Sequence, residues 1–368
     1  MKNKVSLYLH WPWCNSNCSY CDYYKLKHQY DIDYSKTLSA FNKDILYFKK
    51  IYKEVSLEAI HIGGGSPSSM PLKVLKKIIL DIKKEFFFMD NIEISIEINP
   101  EDVRNGILNN LKRLGINRLA LGVQSFSNYN LKTLNRRHDK KIAFTSIKQS
   151  LDYFKNVSID LMYDIPNSTA QDWYRDLEYT MHFPVKHISI NEFSHPKKQN
   201  SSIQFKTKRF LVKTANVLKE KGFILYESSN FAKEGFIPKY NLAIFDMKNI
   251  IGIGPSSHSR LIKNDKIFLI NNPRTYGEWL KKTKRVLKQL NKKEILEEFL
   301  IQGLKTSKGV NLNFLAFKYK LPVDKLISFK NIEILKKKGI LKIKNDKYLL
   351  SLSARNIQNS VITNIMTQ

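Results

Sequence analysis

Through the first 200 residues, short runs rich in β-branched and aromatic side chains alternate with longer stretches of helical periodicity, and this alternation limits the fold more than any other feature of the chain. The strand candidates are Val5–Trp11, Leu57–Ile62, Ile92–Ile98, Arg118–Gln124, Val157–Tyr163 and His187–Glu192. Between the first two, Leu38, Phe41, Ile45, Phe48 and Tyr52 recur at three-four spacing. Leu72, Leu75, Ile79, Ile82 and Phe86 do the same after the second. Each series predicts a helix with one apolar face turned to a core. Strand and helix in regular succession predict parallel pairing, and six such units are the count of a partial α/β barrel.

Parallel strands bring their C-terminal ends to one rim, where reactive groups collect. The ends read as a cysteine-bearing run after Trp11, Gly63-Gly64-Gly65-Ser66-Pro67, Glu97-Ile98-Asn99-Pro100, Gln124-Ser125-Phe126, Asp160 with Asp164, and Asn191-Glu192. A triple glycine alone is weak evidence for a ligand site. Six polar strand ends at one face are much stronger.

The run after the first strand holds Cys14, Cys18 and Cys21, the only cysteines in the sequence. Three thiolates on one short loop can hold three irons of a cubane [4Fe-4S] cluster and leave the fourth iron open. Zinc would have to recruit His10, Asp22 or His28 as a fourth ligand. A disulfide would strand one thiol, and ferredoxins space their cysteines differently. Trp11, Trp13, Tyr20, Tyr23 and Tyr24 give the loop aromatic neighbours that would shield a reactive species from water.

A chain of 368 residues suggests one large domain with a smaller one. Its formal charge of +29 is compatible with a nucleic acid, an anionic membrane or an acidic electron donor. The excess is mainly Lys spread along the chain among abundant Asn and Ile, as an AT-rich coding sequence also yields. The start superficially resembles a signal peptide, but His10 and Pro12 interrupt its apolar run and no small-residue cleavage site follows before the cysteines. No apolar run reaches the roughly 18 residues of a membrane span. Reduced thiols point to a cytoplasmic protein.

Beyond a polar loop at Pro196–Ser202, a helix is expected over Lys206–Lys221. From about Asn291, helical patterns Glu294–Leu304, Leu312–Tyr319 and Val323–Lys338 precede a hairpin-like run, Leu341–Leu350. The expected division is a core barrel at 1–235, a connecting segment with glycine-rich turns at 236–290, and a smaller helical, winged-helix-like domain at 291–368. Such a fold alone does not license DNA binding, and none is expected.

The spacing C-x₃-C-x₂-C near a chain start resembles the signature of radical S-adenosylmethionine proteins. The match narrows to the HemN/HemW group, relatives of the oxygen-independent coproporphyrinogen III oxidase. It rests on Tyr8-Leu-His-Trp-Pro-Trp-Cys14, His61-Ile-Gly-Gly-Gly-Ser-Pro-Ser68, Leu121-Gly-Val-Gln-Ser-Phe126 and Leu134-Asn-Arg-Arg-His138. Ile159-Asp-Leu-Met-Tyr-Asp-Ile-Pro166, Tyr226-Glu-Ser-Ser-Asn-Phe-Ala232 and Ile253-Gly-Pro-Ser-Ser-His258 extend it. The resemblance implies a partial (β/α)6 barrel, a [4Fe-4S] cluster on Cys14, Cys18 and Cys21, and S-adenosylmethionine chelating the open iron.

It further implies that the backbone of Gly64, Gly65 and Ser66 meets the methionine amino end, with Ser66 where the family usually has Thr. Arg136 would pair with the methionine carboxylate, and Gln124 and Asp160 with the ribose. Tyr8, Tyr20 and Glu97 would line the same cleft. Oxidases carry a further cysteine where this chain has Tyr23, which favours the HemW haem chaperones, whose cargo is haem. Implied partners are a haem-acceptor protein and a one-electron donor such as flavodoxin or ferredoxin. The alternative is oxygen-independent coproporphyrinogen oxidation or another radical reaction on a tetrapyrrole. The family's His-Asn-x-x-Tyr-Trp motif is here Tyr240-Asn241-Leu242-Ala243-Ile244-Phe245, leaving Tyr240 and His258 as candidate haem ligands. Asp164 replaces a Gly, and Ser256-Ser257 replace Gly-Ala.

Overall fold

The computed structural model describes residues 3–27, 32–193, 202–281 and 285–367. The expected loop from Pro196 lies outside these residues apart from Ser202, as does His28. Six strands run in parallel: β1 (Asn3–Trp11), β2 (Val55–Gly64), β3 (Phe87–Ile98), β4 (Arg118–Gln124), β5 (Val157–Tyr163) and β6 (His187–Glu192). They pair in sequence order, and β1 does not pair with β6, so the barrel is partial.

Helix α1 (Tyr34–Ile51) follows β1, and α2 (Leu72–Glu85) follows β2. The side chain of Asp33 caps α1 by accepting from Lys36 N–H, and the α1 stripe buries Phe41, Ile45 and Phe48. In α2, Val74, Leu75, Ile78, Ile79 and Ile82 are buried. One apolar core lies between these helices and the sheet and includes the fully buried Leu7, Leu9, Ile60 and Ile62.

The sheet continues past β1 on its other side. Strand β7 (Ile250–Ile253) pairs parallel to β1 with Tyr8 opposite Gly252, and β8 (His258–Lys263), β9 (Lys266–Asn271) and β10 (Val286–Gln289) follow antiparallel. Among the described residues β1 is therefore an interior strand of a twelve-stranded sheet. The four-residue run Ile250-Ile-Gly-Ile253 is too short to show a period, so it reads only as a glycine-rich turn in sequence.

A second core gathers Leu296, Leu300, Leu315, Ile332 and Ile362 with Ile267 from the sheet extension and Met247 from the turn that precedes it. Here helices Lys292–Gly303, Leu312–Tyr319 and Phe329–Lys337 precede a hairpin, Leu341–Lys344 with Lys347–Leu350, joined by Val310–Asn311 as a third strand. Asn345 and Asp346 both take positive φ at the hairpin turn, as a two-residue turn of this hand requires. The single helix expected over Val323–Lys338 is broken, because Ile327 bridges to Met366 and Ser328 caps a new helix.

Phe41 is almost fully buried and meets the Trp279 ring edge-on at 4.8 Å between centroids. Phe41→Ala is expected to lower stability by about 3–5 kcal/mol. Urea denaturation checks this as a fall in midpoint at constant slope.

Candidate functional site

Each parallel strand delivers its last residues to the same rim, and the cysteine loop leaves the rim directly after β1. Trp13–Cys14 pairs with Leu26–Lys27, so residues 15–25 form an excursion closed at its base. Leu26 N–H also donates to Pro12 O at 2.7 Å. On its far side the loop is tied to the turn before Arg136. Ser19 N–H donates to Leu134 O at 3.4 Å, and Asn135 Nδ2 donates to Asn17 O at 2.7 Å.

The glycine turn after β2 packs against this loop at backbone distance. A Cβ on Gly65 would lie 2.4 Å from Trp13 O, and one on Gly64 would lie 2.6 Å from Trp11 O at a φ of +111°. Gly65 N–H donates to Trp11 O and Ser66 N–H to Trp13 O, both at 2.7 Å. The Ser66 hydroxyl stands between Cys14 Sγ at 3.1 Å and Asn99 Nδ2 at 2.9 Å.

Arg136 crosses from the other wall. Its Nη1 reaches Tyr20 OH at 3.3 Å and Cys18 Sγ at 3.5 Å. Its Nη2 donates to Gly122 O at 2.8 Å and Asn99 Oδ1 at 2.9 Å. Burial works against its charge, but Tyr20, Cys18 and Glu101 outweigh burial and raise the guanidinium above its ordinary pKa. Among the described residues its buried Nε has no hydrogen-bond partner, and neither has Oε1 of the buried Gln124. Gln124 itself sits at φ 67° at the end of β4.

One cleft of about 900 Å³ is lined by Cys14, Cys18 and Cys21, by the Gly64-Gly65-Ser66 turn, by Gln124 and Arg136, and by Tyr8, Tyr20, Glu97 and Asp160. Tyr240 and His258 line the same cleft. The rings of Tyr8, His61 and Tyr240 are nearly parallel, with centroids 5.1–5.9 Å apart. Burial pushes the Tyr240 phenol well above its ordinary pKa. His258 is exposed, and its Nδ1 lies 2.8 Å from Asn271 Oδ1.

Sequence reasoning gave no role to His61, which lies beside Tyr8 on β1 and Ser95 on β3 in register. Its Nδ1 is 2.8 Å from Ser95 Oγ and its Nε2 3.1 Å from Glu97 Oε1. The usable signal was strand alternation, since His61 points the same way as Gly63 two residues on. His187 was missed for the same reason. It lines the cleft's floor and is fully buried, and burial followed by the Arg118 charge lowers its pKa to about 3.

The donor set can be tested against a cluster. Among the described residues no three His, Cys, Asp or Glu side chains converge on one point as a single metal ion requires. A cubane takes one thiolate per iron and has no such need, and the three thiols are free, with Cys18 and Cys21 part-exposed toward the cleft. The unpartnered Arg136 Nε and Gln124 Oε1 add a donor and an acceptor for a zwitterionic, hydroxyl-bearing cofactor.

Burial first, and the Glu97 charge second, push the Asp160 carboxyl up to about 7. The folded chain thus keeps this proton at pH values where the unfolded chain has lost it. The stability linked to Asp160 is fully present below the unfolded carboxyl's pKa and is lost as pH rises through about 7. Asp160→Asn, which cannot titrate, is expected to flatten the decline in melting temperature between about pH 4 and 7. Calorimetry across that window checks it, and a profile unchanged by the substitution counts against the assignment.

The model of the Radical SAM superfamily matches residues 8–180. The chain is 30% identical over 341 residues to the heme chaperone HemW of Buchnera aphidicola subsp. Schizaphis graminum, covering 87% of this chain and 91% of that one. It is 26% identical to the heme chaperone HemW of Bacillus subtilis, with 97% of both chains covered. In fold it is similar to the coproporphyrinogen III oxidase HemN of Escherichia coli, with a TM-score of 0.82, 19% identity, 99% of this chain and 90% of that one. Among the described residues no helix is long and apolar enough to cross a membrane.

Proposed function

This chain belongs to the HemW family of radical S-adenosylmethionine proteins, and from that premise we propose that it binds haem at the barrel mouth and hands it to acceptor proteins. The observation that carries the reading is the continuity of one cleft from the three cysteines to Tyr240 and His258. A cluster site and a haem-facing site then share one cavity.

Cys14, Cys18 and Cys21 would hold the [4Fe-4S] cluster, and Arg136 the carboxylate of S-adenosylmethionine, a task suited to a fixed guanidinium fork. The N–H groups of Gly65 and Ser66 are already taken by Trp11 O and Trp13 O, and the Ser66 carbonyl by Ser69. An ammonium group arriving at this turn would therefore be received by backbone carbonyl groups of the turn. Gln124 Oε1 and Asp160 would accept from the ribose hydroxyls. When bound, the cluster and cofactor would supply one-electron chemistry, while Tyr20, in the cleft wall, would limit access of water to that end; Trp11 and Trp13 are buried in the core and do not line the cleft.

At the mouth, Tyr23 is 65% exposed and gives a macrocycle an aromatic face. Tyr240 stays a phenol by its burial, so its place is in the ring stack. The exposed imidazole of His258 is the better iron ligand. Coproporphyrinogen oxidation is less supported, because the position of the oxidases' further cysteine is Tyr23. A flavodoxin or ferredoxin as one-electron donor and a cytoplasmic location complete the reading.

Haem titration of the cluster-loaded protein, followed at the Soret band, is expected to saturate at a defined stoichiometry, and the loaded protein to pass haem to apomyoglobin. Absence of saturable binding sinks the proposal. In a separate measurement, Cys18→Ala is expected to abolish the brown cluster absorbance while leaving the circular dichroism of the chain unchanged. A normal cluster spectrum in that variant would remove Cys18 from the ligand set.

A further inference from the structure

Helix α1 turns two polar side chains into the core. Thr37 and Asp44 are both buried and lie seven residues apart, hence on one face. A carboxylate buried this deeply needs partners. Asp44 Oδ2 accepts from Gly254 N–H at 2.8 Å, Trp279 Nε1 at 2.8 Å and Asn272 Nδ2 at 2.9 Å, and Oδ1 pairs with Arg285. All four partners come from the segment that follows β7, so one side chain of α1 gathers a stretch more than 200 residues away.

Asn272 extends the brace. Its Nδ2 also reaches Gly254 O at 2.9 Å and Ser257 Oγ at 3.0 Å, and its backbone N–H donates to Ser257 O at 3.0 Å. Ser257 Oγ donates to Gly254 O at 2.7 Å. Ser256, at φ 59°, donates its N–H to Pro273 O at 2.8 Å. The turn cannot slide toward β1, because a Cβ on Gly254 would already lie 2.4 Å from His10 O.

The residue after this braced turn is His258. Its Nδ1 meets the oxygen of Asn271, which immediately precedes Asn272, so this contact occupies Nδ1 and leaves Nε2 as the nitrogen for a ligand in the cleft that His258 lines. Both anchors of the imidazole, Ser257 through the backbone and Asn271 through the ring, adjoin groups that answer to Asp44.

We propose that Asp44 is a positioning residue for His258, aiming its Nε2 at haem iron through Asn272 and the turn Gly254–Ser257. The proposal rests on the reading of His258 as the haem ligand. The direct outer partner of the ligand is Asn271, and loss of such a partner costs about 10- to 100-fold in affinity; Asp44 holds its neighbour Asn272 in place.

The test is haem titration of the full chain with low-temperature electron paramagnetic resonance of the ferric complex. Wild-type protein is expected to give one imidazole-ligated species, and His258→Ala to lose it. Asp44→Asn is expected to bind about 10- to 100-fold more weakly and to give a mixture of ligand fields, while cluster incorporation matches wild type. Ser257→Ala removes one hydroxyl from the brace without touching the buried charge, and is expected to broaden the same signal should Asp44→Asn fail to fold. A wild-type signal and affinity in both Asp44→Asn and Ser257→Ala, with the signal lost in His258→Ala, overturns the brace. A wild-type signal in His258→Ala overturns the ligand assignment itself.

Discussion

The site depends on a backbone contact that admits no side chain. Gly64 and Gly65 lie so close to the carbonyls of Trp11 and Trp13 that a single added carbon has no room, and the two amides made available by this approach complete the seam. Everything else at the rim is referred to that seam. Ser66 can touch Cys14 only because the turn sits there, Asn99 can touch Ser66, and Arg136 closes the circuit through Asn99 to Cys18. The cysteine loop is thus located by contacts of the chain's own backbone and side chains.

Arg136 shows how a buried cation is retained. Desolvation alone would favour its neutral form, yet Tyr20, Cys18 and Glu101 surround it and four hydrogen bonds fix its plane. A positive group held in this way beside a loop of three cysteines lowers the cost of gathering negative charge there.

Much of this was legible in the chain. Three of the six strand candidates, Arg118–Gln124, Val157–Tyr163 and His187–Glu192, match their observed bounds, and the others were short by a few residues at their ends. Buried parallel strands announce themselves as apolar runs, and the rim follows from their common direction. Strand β7 was not legible, because four residues hold no period. Nor was Asp44: within the α1 stripe its position reads as a polar interruption, and only the fold reveals the Arg285, Trp279 and Asn272 groups that make its burial tolerable. The break at Ile327 was hidden because its cause, a bridge to Met366, is long-range.

Because β7 covers the outer side of β1, the strand leading to the cysteines has hydrogen-bonded neighbours on both sides along Ser6–Leu9. Local opening in such sheets starts from edges and ends, and interior strands release their amides only when most of the structure is lost. The short pairing of Trp13–Cys14 with Leu26–Lys27 marks where that protection stops. The cysteine loop thus lies beyond the reach of the sheet's own pairing and is held by its side contacts, while the strand that aims it is hydrogen-bonded on both edges.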